Sequence, residues 1–377
     1  MSRKIRLAII GLDHWYWALG CAYNISMDPN TELLDIADPN MEQANNIATI
    51  YGARKFSTDY HSLLDNPEVD GVIITTVTSM HHQVAVEAAK AGKHILIGKP
   101  IARNLRDARE ILDAAKKHNV KLLPMASGVL PGDYVMKLLN EGQIGEPFAA
   151  HCSMLAIPPL RSPGVNEPGW FADPTQSPGG AFVDHGIYDI ALLRKYFRSE
   201  IRSVFATLGK FKHKELAVED HGVAILSFDN GSIGTIESSW TSVTQSHSRK
   251  IIIGTTGEIE IRRNMLSNGS SMISIWGTKQ PDGQRVLIET QPPEPVFMKN
   301  YVEKSIPMPP FAMNYRPTVL EFINCILEDR QPSLTGEDAY KVLEACLAAY
   351  KSHDIGEPVT LPLTTDVDVV RILSKLG

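Results

Sequence analysis

The regular alternation of strand-like and helix-like segments over residues 1–124 constrains the fold more than any other feature of the sequence. The first apolar run, Ile5–Ile10, ends at Gly11, and apolar residues then recur at helical spacing. Residues 70–77, DGVIITTV, form a nearly continuous β-branched run, which is typical of a strand buried on both faces. This alternation predicts an α/β domain over residues 1–124, built as a doubly wound parallel sheet of the Rossmann class.

After residue 124 the pattern changes. Strand-like segments follow one another without intervening helices, and short turns such as FDNGS at 228–232 join several of them. We therefore expect a second domain, 125–377, of the α+β class, with a large, mostly antiparallel open sheet flanked by helices. The strands are predicted at 145–160, 201–209, 222–228, 231–241, 249–261 and 271–289. The helices are predicted at 131–141, 184–197, 315–328 and 336–352, and the Pro-rich residues 291–310 as an extended surface excursion.

Composition excludes several classes of function. The chain has 377 residues, enough for two domains, and its net charge of −6 argues against a broad nucleic-acid surface. No apolar run reaches the length of a membrane span, and the N-terminus lacks the cleavage site of a signal peptide. The four cysteines form no C-x-x-C pair, which favours a reduced cytoplasmic setting and predicts no metal site.

The loop after the first strand departs from the dinucleotide-binding pattern G-x-G-x-x-G. Asp13 stands in place of the second glycine, and Tyr16 in place of the third. One interpretation is a variant phosphate loop, in which Gly11 makes the turn, Asp13 caps the helix, and the backbone of His14 and Trp15 meets the pyrophosphate. The other is a generic α/β turn without a ligand, and the loop alone leaves both open.

Asp38 favours the first interpretation. It closes the second predicted strand, where an acidic side chain can hydrogen-bond the adenosine ribose hydroxyls. Pro39 and Asn40 follow, with no arginine to accept a 2′-phosphate, so the sequence favours NAD over NADP. The alternative is an Asp-Pro turn in which Asp38 caps the next helix.

Several motifs resemble those of the glucose–fructose oxidoreductase/inositol dehydrogenase/MocA (Gfo/Idh/MocA) family. TVTSMH at 76–81 stands where such proteins typically show Thr-Pro-Asn-x-x-His, and AGKHILIGKP at 91–100 is similar to AGKHVLCEKP. Later segments also resemble the family in order and spacing, among them WFADPTQSPGGAFVDHGIYDIALL, VEDHGVAILSFDNGSIGTIESSW and GEDAYKVLEACLAAYKSHDIGEPVTLP. The resemblance covers nearly the whole chain and implies an NAD(P)-dependent oxidoreductase.

The resemblance also implies which residues contact the cofactor and substrate. It places Lys99 between the nicotinamide ring and the substrate, where a lysine can orient a hydroxyl and stabilise a developing alkoxide. The alternative, a surface lysine, is disfavoured because Lys99 follows a buried strand at the carboxyl edge of the sheet. Gly98 departs from the family, which usually has glutamate there, and so removes a carboxylate partner. Further cofactor contacts are expected from Thr75, Thr76, His81 and Pro100.

The segment Asp184–Tyr188 carries the second set of candidate residues. The family places its common catalytic histidine at the position of Tyr188, and some members carry tyrosine there. A tyrosine near a lysine can act as a general acid or base, and on a helix Asp184 and Tyr188 would share one face, with His185 off that face. The alternatives are that Tyr188 packs on the sheet and that Asp184 caps the helix.

Together these features predict an NAD-dependent oxidoreductase that transfers a hydride between nicotinamide and a secondary hydroxyl or ketone of a sugar, polyol or related small carbohydrate. The alternatives are a lyase, epimerase or glycosidase that uses NAD for transient oxidation, and a catalytically impaired sensor that binds NAD or another ligand. We expect a cytoplasmic homodimer or homotetramer that associates through the C-terminal sheet, without nucleic-acid or membrane partners.

Overall fold

The computed structural model of the chain describes residues 3–125, 132–162, 165–243, 246–264, 271–277, 280–288 and 312–376. By its internal contacts the chain divides into two units, 1–129 with 291–340 and 130–290 with 341–377. The predicted surface excursion at 291–310 lies outside the described residues.

The first unit contains a six-stranded parallel sheet with helices between its strands. The strands are β1 Ile5–Ile10, β2 Thr31–Ala37, β3 Lys55–Ser57, β4 Gly71–Ile74, β5 His94–Ile97 and β6 Leu122–Pro124. The helices are α1 Trp15–Met27, α2 Met41–Tyr51, α3 His61–Leu64, α4 Thr78–Lys90 and α5 Leu105–Lys117. The strand order β3-β2-β1-β4-β5-β6 confirms the predicted doubly wound sheet.

Local sequence signals account for these elements. β1 and β4 are almost completely buried, as continuous apolar runs in a parallel sheet should be. Helix α5 begins where the sequence predicts it, because the Asn104 side chain accepts a hydrogen bond from the Asp107 N–H at 2.8 Å. Its buried residues Ala108, Ile111 and Ala115 follow helical spacing.

The second unit contains a nine-stranded sheet. Its strands are β7 Pro147–Leu155, β10 Ile201–Gly209, β11 His221–Phe228, β12 Ile233–Ser239, β13 His247–Gly254, β14 Gly257–Asn264, β15 Ser271–Gly277, β16 Gln280–Ile288 and β17 Val359–Thr360, and a separate ribbon pairs β8 Leu160–Ser162 with β9 Val165–Pro168. The order β16-β15-β14-β13-β7-β12-β11-β10-β17 is antiparallel except for the pair β7·β12. The predicted large, mostly antiparallel sheet is confirmed.

The later helices are α6 Gly132–Asn140, α7 Ala181–Phe197, α8 Ala312–Leu327, α9 Gly336–Ile355 and α10 Val369–Ser374. α8 belongs to the first unit, where the Tyr315 ring lies against Gly20 of α1 and 4.1 Å from the Trp17 ring centroid. A Cβ atom on Gly20 would lie 2.2 Å from the Tyr315 ring. The sequence-based division at 124/125, which assigns α8 to the second domain, stays a prediction.

Two segments that the sequence predicts as single strands each contain two antiparallel strands. Residues 249–261 form parts of two strands, β13 and β14, which turn at Thr255 and Thr256 and pair Gly254 with Gly257. Residues 271–289 likewise contain the antiparallel pair β15 and β16. In the first case the β-branched threonines of the turn resemble strand residues, so composition alone concealed the reversal.

The two faces of the nine-stranded sheet differ in cover. α7 packs on one face, against β7, β11 and β12, and buries side chains such as Leu226 and Ile236. The opposite face, which we call the outer face, exposes apolar side chains between polar ones, including Phe205, Val223, Ile225, Ile233 and Met272. Among the described helices, none combines the length and the hydropathy that a membrane crossing requires.

Candidate functional site

The carboxyl ends of three neighbouring strands define one candidate region, in the first unit. β1, β4 and β5 are adjacent and in register, with Ile10 opposite Ile74 and Ile74 opposite Ile97. The loops that follow these strands therefore emerge at one edge of the sheet. This is the edge at which doubly wound sheets bind ligands, and we call it the carboxyl edge.

Gly11 makes the turn that the sequence predicts. Its φ is +80°, and a Cβ atom there would lie 2.4 Å from Thr76 Cγ2 and 2.8 Å from the Thr76 backbone. The Gly11 N–H donates to the Ala37 carbonyl at 2.8 Å, and the Gly11 carbonyl accepts the Thr75 hydroxyl at 2.6 Å. Only glycine fits this close approach, so the loop keeps the one feature that a dinucleotide site requires most.

Asp38 lies at the end of β2, as predicted, with its carboxylate directed at the glycine loop. One oxygen accepts from the Leu12 N–H and the other from the Asn40 N–H, both at 2.8 Å. Burial raises the pKa of this carboxyl. The N-cap of α2 is Asn40, which accepts from the Gln43 N–H, so the alternative in which Asp38 caps that helix is wrong. Each carboxylate oxygen retains acceptor capacity for ribose hydroxyls.

The predicted cap at Asp13 is also wrong. α1 begins at Trp15 with His14 as its N-cap residue, and the Asp13 carboxylate accepts instead from the Val77 N–H at 3.2 Å. Burial and then the charge of Asp38 raise the pKa of Asp13. The His14 N–H donates to the Thr75 carbonyl at 2.9 Å, and its contact with a phosphate stays a prediction. Trp15 stays a predicted contact, at the first position of the helix.

His81 joins two loops of the carboxyl edge. Its ring is 0% exposed, with Nδ1 2.9 Å from the Pro100 carbonyl oxygen and Nε2 3.2 Å from that of Thr76. Burial lowers the pKa of His81 to about 4, so the ring is neutral near pH 7. Its predicted contact with the cofactor has no exposed ring surface to support it.

Lys99 follows β5 at this edge, and its side chain is only 2% exposed. The preceding residue, Gly98, donates its N–H to the Ile74 carbonyl at 2.9 Å. A Cβ atom on Gly98 would lie 3.1 Å from His81 Cε1, which is tighter than an ordinary contact. The glycine that departs from the family pattern thus lies directly against the histidine that holds Pro100.

The second candidate region is the beginning of α7, in the second unit. α7 begins at Ala181 and its N-cap is Gly180, so the alternative in which Asp184 caps the helix is wrong. Asp184 is 5% exposed and accepts from the Trp240 Nε1–H at 3.1 Å. Tyr188, half-buried, lies one turn further along the helix.

Sequence reasoning underestimated His185 and missed two buried ionic groups. His185 Nε2 lies 3.3 Å from Asp184 Oδ2, although the two residues are adjacent on the helix. Further along α7, Asp189 pairs with Lys250 of β13, and both side chains are buried. Burial lowers the pKa of Lys250, but the charge and the hydrogen bond of Asp189, together with the neighbouring Cys152, outweigh burial, and the net shift is upward. No spacing in the sequence links residues this far apart.

The acidic pair in the quoted segment VEDHG is buried as well. Glu219 and Asp220 are both 0% exposed, and both accept backbone N–H groups. Two consecutive carboxylates at the start of an otherwise apolar strand were the available signal. Across the described ranges, no group of three or more His, Cys, Asp or Glu residues is arranged to hold a metal ion.

Two domain models of one family match the chain. The model for an oxidoreductase family with an NAD-binding Rossmann fold matches residues 5–125, and the model for the C-terminal domain of the same family matches residues 133–260. The chain belongs to the Gfo/Idh/MocA family. The predicted family and fold class are confirmed.

Characterised members of the Gfo/Idh/MocA family match over almost their full lengths. The NAD⁺-dependent scyllo-inositol 2-dehydrogenase of Bacillus subtilis is 26% identical over 370 residues, which are 96% of this chain and 97% of that protein. The myo-inositol 2-dehydrogenase of Thermotoga maritima is 25% identical over 367 residues, 95% of this chain and 98% of that protein.

The fold also matches solved structures. Levoglucosan dehydrogenase in complex with NADH superposes with a TM-score of 0.78 at 22% identity, over 96% of this chain and all of that one. This Gfo/Idh/MocA protein is an NAD-dependent oxidoreductase, as its sequence predicts.

Proposed function

We propose that this enzyme transfers a hydride between NAD and a secondary hydroxyl or ketone of a sugar, polyol or related small carbohydrate. The observation that carries the proposal is the burial of Lys99 at the carboxyl edge, the same edge of the sheet at which the turn after β1 accepts only glycine, at Gly11. The named activities of the relatives, on inositols and levoglucosan, support the same substrate class.

The residues of the carboxyl edge fit a dinucleotide. When bound, NAD accepts or supplies the hydride at its nicotinamide ring. Gly11 allows the close backbone approach that a pyrophosphate needs, and Asp38 offers acceptors to the ribose hydroxyls. A 2′-phosphate would meet the Asp38 carboxylate and no arginine in the following residues, which favours NAD over NADP.

The proton steps are assigned to Lys99 and Tyr188. The Lys99 ammonium would orient the reacting hydroxyl and stabilise the negative charge that grows on its oxygen as the hydride leaves. The Tyr188 phenol would take or return the hydroxyl proton, while Asp184 hydrogen-bonds the substrate. These roles follow the family resemblance residue by residue and are part of the proposal.

A panel of sugars and polyols with NAD and NADP, followed by absorbance at 340 nm, tests the proposal. We expect Lys99→Ala and Tyr188→Phe each to lower turnover by about 10²- to 10⁴-fold and to leave the Kd for NADH nearly unchanged. The controls are Lys93→Ala and Tyr196→Phe. Lys93 is a buried lysine at the opposite end of β5 that donates to the Asn66 and Val69 carbonyls, and Tyr196 lies further along α7. Near-normal turnover in both test variants would refute the roles assigned to Lys99 and Tyr188.

The same assay distinguishes a second reaction class. Gly98 stands where the family usually has glutamate. For this reason we also consider a cycle in which NAD is reduced and reoxidised within one turnover, as in a lyase or epimerase. Product formation without a net change at 340 nm would identify that cycle. No binding of NADH by calorimetry would refute both enzymatic functions and leave the sensor.

We also propose that the enzyme is a cytoplasmic homodimer or homotetramer that associates through the outer face of the nine-stranded sheet. The support is the row of exposed apolar side chains, of which Ile225 is 45% and Ile233 51% exposed. Ile225→Asp should shift the mass by light scattering towards the monomer, whereas Ile50→Asp, an exposed isoleucine on α2, should not. A monomeric wild-type protein would refute this proposal.

A further inference from the structure

Glu219 is a buried carboxyl group that the proposed chemistry does not use. It precedes β11 in the second unit, and its side chain is 0% exposed. Oε1 accepts three hydrogen bonds, from the Gly180 N–H at 2.9 Å, the Phe182 N–H at 3.0 Å and the Tyr350 hydroxyl at 2.7 Å. Oε2 accepts one more from the Gly180 N–H at 3.1 Å. Each of these partners of the carboxyl is therefore a donor.

Two of these donors belong to the beginning of α7. A helix leaves its first N–H groups without intrahelical partners, and the N-cap side chain usually accepts from them. Here the N-cap is Gly180, which has no side chain, and Glu219 supplies the missing acceptor from 39 residues away. The Glu219 carbonyl also accepts from the Ala181 N–H at 3.1 Å. A Cβ atom on Gly180 would lie 2.2 Å from that carbonyl oxygen, so the approach requires glycine.

The third donor fixes the carboxyl from the other side. Tyr350, on α9, is 0% exposed. A Cβ atom on Gly179 would lie only 1.9 Å from the Tyr350 hydroxyl oxygen, so the ring packs closely against this glycine. Glu219 is thus held between a rigid aromatic side chain and the first turn of α7. A carboxylate at a helix N-terminus also interacts favourably with the helix dipole.

We infer that Glu219 is a positioning residue for the reaction, because it fixes the first turn of α7 and thereby the directions in which Asp184 and Tyr188 present their side chains. The inference rests on the proposed function for its kinetic consequence. It does not require Glu219 to touch substrate or cofactor.

The neighbouring carboxylate provides a matched control. Asp220 is equally buried, but its oxygens accept from the N–H groups of Phe211, Lys212 and His213, at 2.9, 2.8 and 2.7 Å. It therefore fixes a loop after β10 and accepts no hydrogen bond from α7. Loss of either carboxylate removes backbone acceptors, but only loss of Glu219 should loosen α7.

The test combines hydrogen–deuterium exchange with kinetics on the full-length enzyme. Loss of a helix cap corresponds to about a tenfold change in an opening equilibrium, so Glu219→Ala should speed amide exchange at residues 180–184 by about tenfold. We expect kcat to fall by a similar factor, while the Kd for NADH stays at the wild-type value. Glu219→Gln, whose amide oxygen still accepts, should restore part of both losses, and Asp220→Asn should speed exchange at 211–213 without affecting 180–184.

Each outcome decides the inference. Unchanged exchange at 180–184 in both Glu219 variants, or faster exchange with unchanged kcat, would overturn it. If Glu219→Ala does not fold, Glu219→Gln and Tyr350→Phe are assessed by the same criteria. If the wild-type enzyme turns over no carbohydrate, the proposed function fails, and the exchange data alone decide whether Glu219 fixes α7.

Discussion

The segment around Lys99 and the beginning of α7 are both held by buried polar groups, but those groups differ in charge. Next to Lys99, the His81 ring, which is neutral near pH 7, lies between the carbonyls of Thr76 and Pro100. At α7 the groups are ionisable, because Glu219 holds the first turn and Asp189 pairs with Lys250. His81 and Glu219 should therefore respond to pH in opposite directions.

The directions follow from the pKa shifts. Burial lowers the pKa of His81 to about 4 from an ordinary 6.5, so as pH falls between these values the unfolded chain takes up a proton that the folded chain does not, and stability falls. Burial raises the pKa of Glu219 to about 7 from an ordinary 4.5, against the opposing effect of its hydrogen bonds. As pH rises between 4.5 and 7 the folded chain therefore holds a proton that the unfolded chain has released, and stability falls in that direction.

The largest expected effect is on the free energy of unfolding, from the buried ion pair Asp189–Lys250. Asp189→Asn would leave the Lys250 ammonium buried without its carboxylate, which should lower the free energy of unfolding by about 3–5 kcal/mol. Urea denaturation at pH 7 measures this. The double variant Asp189→Leu/Lys250→Met removes both charges and should recover most of the loss. A loss below about 1 kcal/mol in the single variant would show that this pair is not the isolated buried ion pair that the geometry indicates.

The pKa shift of His81 can be tested by measuring stability as the pH falls. Between pH 6.5 and 4 the His81 shift should contribute a loss of about 3 kcal/mol to the stability, from 2.5 pH units at 1.36 kcal/mol each. His81→Asn should remove this contribution, measured by urea denaturation as the difference from the wild type at several pH values. His82→Asn, at a partly exposed neighbour that pairs with Glu110, is the control and should keep it. An unchanged slope in His81→Asn would break the comparison.

Glu219 should produce a slope of similar size and opposite sign. Its shift predicts a loss of up to about 3 kcal/mol as pH rises from 4.5 to 7, again from 2.5 units. Glu219→Gln cannot ionise, so the difference in stability between this variant and the wild type should change by that amount across the range in the same denaturation series. Tyr350→Phe keeps the carboxyl but removes one donor, so its slope should stay close to that of the wild type. A difference between Glu219→Gln and the wild type that does not change with pH would contradict the assigned shift.

The smallest effect contrasts two glycines, one from each region. Gly98→Ala would press a methyl group against the fully buried His81 ring and should destabilise by about 1 kcal/mol. Gly186, within α7, has its nearest contact at 3.4 Å, an ordinary distance. Gly186→Ala should stabilise by about 0.5–1 kcal/mol through helix propensity. Thermal midpoints of the two variants should move in opposite directions, and a shared direction would refute the steric argument at Gly98.

Local patterns predicted most of the fold and the near-neighbour parts of the site. The apolar run Ile5–Ile10, the turn at Gly11 and the cap at Asn104 each act within a few residues, and all three are confirmed. The strand break at Thr255 and Thr256 was missed because β-branched residues occupy the turn. The edge strand β3 was missed because it has only three residues, two of them exposed, which carry no periodic signal.

The errors at the site come from partners distant in sequence. Asp13 has the residue type of an N-cap, but its carboxylate accepts from Val77, 64 positions away. Glu219 caps α7 from 39 positions away, and Lys250 lies 61 positions from Asp189. A single sequence records which side chains can accept or donate, and only the tertiary fold determines which backbone they reach.

The packing of Tyr315 against Gly20 and Trp17 has a consequence for synthesis. α1 leaves the ribosome before the second unit does, yet the ring that covers it lies in α8, beyond every long strand of that unit. Until residues 312–327 emerge, the α8-facing side of α1 lacks its native cover and exposes apolar surface to solvent or to chaperones. Synthesis of the nucleotide-binding unit thus starts before that of the second unit and ends after the second unit's long strands, so a ribosome that stalls before α8 releases the first unit with an open core.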